Sequence, residues 1–189
     1  MEINVTLAGT TQLLMHNEQL ADPTNPIVRE IKTITDKRKK TDEDLLRKLR
    51  LDFEGGLYWS PTAGPFLPTY NVKRAFVEGA RLSKLGKAVE RAFAPLEAEA
   101  ALVYDGPRDI EGMWAAGFRD VRSVKIGMQR VTRCRPSFPA GWRVSFRADL
   151  ATDLLNLDEF GRCAATAGLL TGIGDYRARY GRFTVEVSQ

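Results

Sequence analysis

The chain is poor in the side chains that do most protein chemistry: 189 residues hold one histidine, His16, and two cysteines, Cys134 and Cys163. The cysteines stand 29 residues apart, without the paired spacing of a zinc site, so no metal is expected. A disulfide framework is equally unexpected, and the reading is two reduced thiols. The opening MEINVTLAG has an acid at Glu2 and alternates like a strand, with no basic segment before an apolar core, so no secretory signal is expected. The uncharged run from Cys163 to Gly174 is too short and too rich in glycine to span a bilayer. A cytoplasmic protein with no membrane partner is the expectation.

What is present is an ordinary globular composition, 43% hydrophobic and 28% charged, with a net charge of only +4. The length suits one domain, 1–189, with surface insertions expected near 16–57 and 95–120. The charge is unevenly spread. From Val121 to Ala148 there are seven basic residues and no acid, and this is the strongest compositional signal for an anionic partner.

Ile3, Val5 and Leu7 alternate with polar residues, the period of a half-buried strand. Residues 16–40, with DPTNP and DKRKK, read as a long excursion from the core. Thr41 and Asp44 cap a helix whose inward face is expected to be Leu45, Leu46, Leu49 and Phe53. Short strands flank the turn SPTAG, and helices follow over 71–85 and 87–94. The stretch DGPRDIEGMWAAGF reads as irregular. Strands are expected at 123–128 and 142–150, each with one apolar face, then a helix capped by Asn156 and Glu159 that stops at Gly172, then a strand with Phe183, Val185 and Val187 inward. This order predicts an α+β fold: a ferredoxin-like, RNA-recognition-type antiparallel sheet with helices on one face and surface insertions.

Three stretches could hold an anion. GIGDYRARYGRF follows a helix and precedes a strand, so it is neither a dinucleotide turn nor a Walker loop. It does present Arg177, Arg179 and Arg182 as forked donors for phosphate, and Tyr176 and Tyr180 as surfaces on which bases could stack. Arg143 and Arg147 share the polar face of one strand, about 13 Å apart. Without local acids to neutralise it, that face is expected to repel itself unless an anion covers it. Asn71, Lys73 and Arg74 open a helix, where the dipole favours a phosphate.

PFLPTYNVKRA resembles the start-of-helix motif P-x-I-P-G-S-S-L-K-G-A of the RAMP superfamily, the RNA-recognition-fold proteins that include backbone subunits of CRISPR effector complexes and solitary or virus-encoded relatives. Pro68, Asn71, Val72, Lys73 and Ala75 carry that likeness. IGDYRARYGRF is similar to the superfamily's glycine-rich loop I-G-G-x-x-S-R-G-x-G-R through Ile173, Gly174, Arg179, Gly181 and Arg182. Thr69, Tyr70 and Arg74 depart from the first pattern, and the loop lacks the glycine expected after Arg179. The resemblance implies an RNA-recognition fold that binds single-stranded nucleic acid, often by assembling along it.

The resulting expectation is a protein for single-stranded RNA or DNA, with no cofactor and no catalytic residue, acting as a homo-oligomer or as a subunit of a larger ribonucleoprotein. Two alternatives stay open. One is an assembly subunit, viral or accessory, that grips an acidic partner through the basic face. The other is a metal-independent ribonuclease using His16 as general base.

Overall fold

The computed structural model describes the backbone of residues 1–189 and every side chain except those of Ile126 and Gln129. Its contacts divide the chain into two compact units. The first holds Met1–Leu13, Trp59–Asp105 and Phe138–Gln189; the second holds Leu14–Tyr58 and Gly106–Ser137.

The first unit is an antiparallel sheet with helices on one face. Its strands are β1 (Glu2–Gly9), β5 (Phe93–Pro95), β9 (Arg143–Leu150) and β10 (Phe183–Ser188), in the order β10-β1-β9-β5. The helices are α3 (Thr69–Arg81), followed by α4 (Gly86–Ala92), and α6 (Leu157–Thr166), which runs on as a π-helical turn over Ala167–Thr171. Taken as β1, α3, β5, β9, α6, β10, the chain makes β-α-β-β-α-β with its four strands ordered fourth, first, third, second. That is the ferredoxin-like arrangement the alternation pattern predicts. A small sheet of β3 (Trp59–Ser60), β4 (Gly64–Pro68) and β6 (Glu99–Ala101) completes the unit, its β3–β4 hairpin turning where SPTAG does.

Strict alternation builds this sheet. In β9 Val144, Phe146, Ala148 and Leu150 are buried while Arg143, Ser145, Arg147 and Asp149 are exposed. Beneath it lies an aromatic cluster drawn from both helices and the sheet. Phe93 stacks on Phe160 at 4.8 Å, and Phe76 meets Phe160 edge-on at 5.7 Å. Each such ring contributes about 1.5–3 kcal/mol by leaving water. Asn156 caps α6 by accepting the Glu159 amide proton, and Gly172, at φ 68°, ends it in the left-handed region that glycine tolerates best.

The second unit contains α1 (Pro26–Thr35), α2 (Asp42–Gly56), α5 (Ile110–Ala115) and a hairpin of β7 (Arg119–Ile126) and β8 (Gln129–Phe138), whose last residue belongs to the first unit. Strand β2 (Leu13–Leu14) pairs with β8 in a sheet of order β2-β8-β7. Here the sequence reading needs three corrections. The excursion at 16–40 contains helix α1, started by Asn25 as cap and Pro26 as first helical residue. DGPRDIEGMWAAGF contains the short helix α5, capped by Asp109. Helix α2 buries Phe53 as expected, but it leaves Leu45 and Leu46 exposed and buries Lys48, Leu51 and Asp52 instead. A buried ion pair, Lys48 Nζ to Asp52 Oδ2 at 2.7 Å, makes that face possible.

Candidate nucleic-acid interface

The glycine-arginine loop is held at its neck by backbone bonds. Gly172 N–H donates to Ala167 O, Ile173 N–H to Gly181 O at 2.9 Å, and Gly181 N–H to Gln12 O at 2.8 Å. Gly181 has φ 69°, and a Cβ there would fall 1.7 Å from the Ile173 carbonyl oxygen, so only glycine closes the neck. The Arg182 amide donates to Thr11 Oγ1, and Arg182 O accepts from Thr10 N–H, which continues the β1–β10 ladder one step beyond Phe183.

The predicted site residues fall into separate groups. Arg177, from the loop, donates to Glu78 of α3 at 2.9 Å, and Arg74 pairs with the other Glu78 oxygen at 3.2 Å. One carboxylate therefore tethers the loop to the helix that the first motif opens. A shallow groove of about 350 Å³ runs along that helix, lined by Tyr70, Lys73, Arg74, Glu78, Arg81 and Glu90. Lys73 is half-buried there, and Asn71 is half-buried outside the groove on the same helix. The first helical amide, on Thr69, is taken by Ala98 O, so the helix start offers less to an anion than its sequence implies.

Tyr176 and Tyr180 meet edge to face at 6.4 Å, and the Arg179 guanidinium lies 5.7 Å over the Tyr180 ring. One tyrosine face is thus occupied from within the loop.

Arg143 and Arg147 lie on the open face of the sheet, opposite the helices. Strand β1 and the turn after β5 bring the acids that the local sequence lacks. Arg147 Nε pairs with Glu97 Oε1 at 2.9 Å and Arg147 Nη1 with Glu2 Oε1 at 3.3 Å, while the Arg147 amide donates to Glu97 Oε2. Burial alone would raise the Glu97 pKa, but its hydrogen bonds from Arg147 hold it below the usual carboxylate value. The expected self-repulsion of this face is therefore absent at Arg147.

Arg143 is different. Exposed, with no ion pair among the described residues, it sits in register with Ala8, which in turn pairs with Thr184. Arg182 follows the same alternation one step before Thr184, is exposed, and also lacks an ion pair among the described residues. Two strand spacings and a two-residue step separate the two backbones, about 12 Å. Arg143 and Arg182 therefore lie at the same end of the sheet, Arg182 at its β10 edge, where it also lines a cleft with Gly168 and Leu169, while Arg147 is neutralised and Arg74 and Arg177 belong to the helix side. The rest of that face is Glu2, Asn4, Thr6 and Ala8 on β1, Ser145 and Asp149 on β9, and Thr184, Glu186 and Ser188 on β10, with a Thr6–Ser145 hydroxyl bond of 2.9 Å. No aromatic side chain of β1, β9 or β10 points to it.

The β7–β8 hairpin is the feature that the sequence reading half missed, because β8 was not anticipated. Lys125 stands directly opposite Arg130 and Arg122 opposite Arg133, with Gly127 and Met128 at the turn. Met128 is 96% exposed, whereas the alternation over 123–128 predicts it on an apolar strand face. Asp120 is the one acid on either strand, and it pairs with Arg122. His16, the residue behind the ribonuclease alternative, is exposed at the rim of a cleft in this unit.

No family model and no curated protein matches the sequence. Among solved structures, the chain is similar to a chain in the cryo-EM structure of the type III-B Cmr-beta bound to cognate target RNA, with a TM-score of 0.50 and 13% identity. The alignment covers 100% of this chain and 60% of the other. The likeness is one of fold, and it agrees with the α+β antiparallel architecture described above. No helix among the described residues is long and apolar enough to cross a membrane.

Proposed function

We propose that this protein binds single-stranded RNA, without catalysis, as a repeated subunit of a larger ribonucleoprotein. The observation that carries the reading is the pair Arg143 and Arg182, two exposed guanidinium groups without carboxylate partners among the described residues, at the end of the sheet face away from its acids Glu2, Asp149 and Glu186. Forked donors placed this way suit successive phosphates of a strand. Three further features support it. The β7–β8 ribbon sets Lys125 against Arg130, a like-charged cross-strand pair that an anion would relieve. The groove on α3 adds Lys73 and Arg81, and a chain of the same fold occurs in an RNA-bound assembly.

A sheet face without aromatic side chains reads no bases by stacking, so binding is expected to tolerate sequence. Assembly has its own support in β10, an edge strand, and in Leu169 and Leu170 beside it, which are 60% and 55% exposed. Fluorescence anisotropy of a labelled single-stranded RNA at two salt concentrations tests the proposal. Binding that weakens steeply with salt supports it, and no binding at low salt refutes it.

A further inference from the structure

The second unit contains a cleft of about 430 Å³ between α1, α2 and β8 that the strand-binding surface does not use. Its size lies within the range of small-molecule sites, about 300–1,000 Å³. Its two kinds of wall are unlike.

One wall is apolar. Helix α1 buries only Ile34 fully, and turns Val28 and Ile31 into the cleft half-exposed; Val131 of β8 and Leu20 are there too, also half-exposed. Branched aliphatic side chains on helix and strand make a slot suited to a flat, apolar body.

The other wall is cationic. Asp52, 2% exposed, accepts from Lys48 Nζ at 2.7 Å and from Arg133 Nη1 at 3.3 Å. One buried carboxylate thus fixes two cations, and the Thr132 carbonyl oxygen takes a second proton of Lys48 at 3.0 Å. Four of the five N–H donors of Arg133 remain unengaged among the described residues. Lys32, exposed in the last turn of α1 and without an ion pair among the described residues, brings the cationic wall to three positive charges against one negative.

A surplus of two positive charges beside an apolar slot matches a phosphate monoester, which carries about −1.5 to −2 at neutral pH, better than the single charge of an internal phosphodiester. We propose that this cleft binds a nucleoside monophosphate group, its base against Val28, Ile31 and Val131 and its phosphate against Lys32, Lys48 and Arg133. The group has two sources, a free mononucleotide or the phosphorylated end of a strand, and only the second rests on the nucleic-acid reading above.

The test uses the full chain. Calorimetry compares AMP with adenosine and with inorganic phosphate, and anisotropy compares one RNA oligonucleotide carrying a terminal phosphate at either end with its hydroxyl-ended form. The expected result is AMP at least tenfold tighter than adenosine or phosphate alone, with that advantage lost in Lys32→Glu and reduced about tenfold in Arg133→Gln. Lys32 is exposed and unpaired, so its substitution leaves the fold intact, which circular dichroism checks. A tenfold preference for the phosphorylated oligonucleotide identifies the strand end as the source; AMP binding with no such preference identifies the free nucleotide. Equal affinity for AMP and adenosine, or AMP binding unchanged in Lys32→Glu, overturns the proposal, as does no AMP binding together with no preference for a phosphorylated end. If the hydroxyl-ended strand binds while these fail, the cleft proposal falls alone. If AMP binds and no strand does, the broader function falls and the cleft stands.

Discussion

Replacing Arg143 and Arg182 by alanine separates a phosphate site from a merely basic surface. Each phosphate contact on a single strand contributes about −0.7 to the slope of log affinity against log salt, and this electrostatic contribution vanishes near 1 M. At 0.1 M salt, loss of one contact therefore costs about fivefold, or roughly 1 kcal/mol, and loss of both about 25-fold. Arg147 supplies the internal control. It lies on the same face and has the same charge, but its guanidinium bonds to Glu97 and Glu2. Arg147→Ala is expected to change affinity less than twofold and to leave the slope unaltered. Anisotropy titrations at four or five salt concentrations on the wild type, three single variants and the Arg143–Arg182 double variant give all the slopes. An Arg147→Ala loss equal to that of Arg143→Ala, or a double variant with the wild-type slope, refutes the assignment.

Phe160→Ala, which empties the centre of the aromatic cluster, is expected to lower stability by about 3–5 kcal/mol in urea unfolding. Gly181→Ala is expected to cost well over 1 kcal/mol and to release the loop to proteolysis, whereas Gly141→Ala, at φ 97° with open space around it, costs only about 1 kcal/mol. Burial, reinforced by the charge of Asp52, pushes the Cys134 thiol from about 9 up to about 12. The folded chain therefore holds this proton between those values while the unfolded chain releases it, so stability falls as pH rises above 9, by about 1.4 kcal/mol at pH 10. A Cys134→Ala variant that loses stability just as steeply over that range rules the thiol out. His16→Ala is expected to leave labelled RNA as intact as the wild type does, and cleavage by the wild type alone would revive the ribonuclease reading.

Much of the first unit was legible because its strands alternate without exception and its helices carry caps and stops in sequence. β9 and α6 follow their patterns almost residue for residue. The second unit was not, and the reason is specific. Counting apolar residues treats Lys48 and Asp52 as outward, yet their mutual neutralisation lets α2 bury them and expose Leu45 and Leu46. In α1, Asn25 and Pro26 signal a loop when taken singly and a helix start when taken as cap and first residue. β8 was hidden by Arg130, Arg133, Arg135 and Pro136, which break its alternation.

The same blindness shaped the site. A run of 28 residues with seven bases and no acid reads as unneutralised charge, but neutralisation in a sheet is a property of register, not of sequence distance. Glu2 lies 145 residues from Arg147 and Glu97 lies 50, yet antiparallel pairing places β1 beside β9, and Leu96 N–H donates to the Arg147 carbonyl. Glu78 of α3 likewise reaches Arg177 of the loop across 99 residues, here through helix–loop packing. What survives as free charge is therefore set by where the fold supplies no carboxylate. On the open face that place is the end where β1 contributes Ala8 and β10 contributes Thr184, residues too small to shield Arg143 and without charge to neutralise it. Placing a glutamate there, by Ala8→Glu, would supply Arg143 with the partner that Arg147 already has. The substitution is expected to weaken strand binding at least as much as Arg143→Ala does, while leaving the sheet paired. Unchanged binding in Ala8→Glu would mean that strand contacts do not depend on the open end of this face.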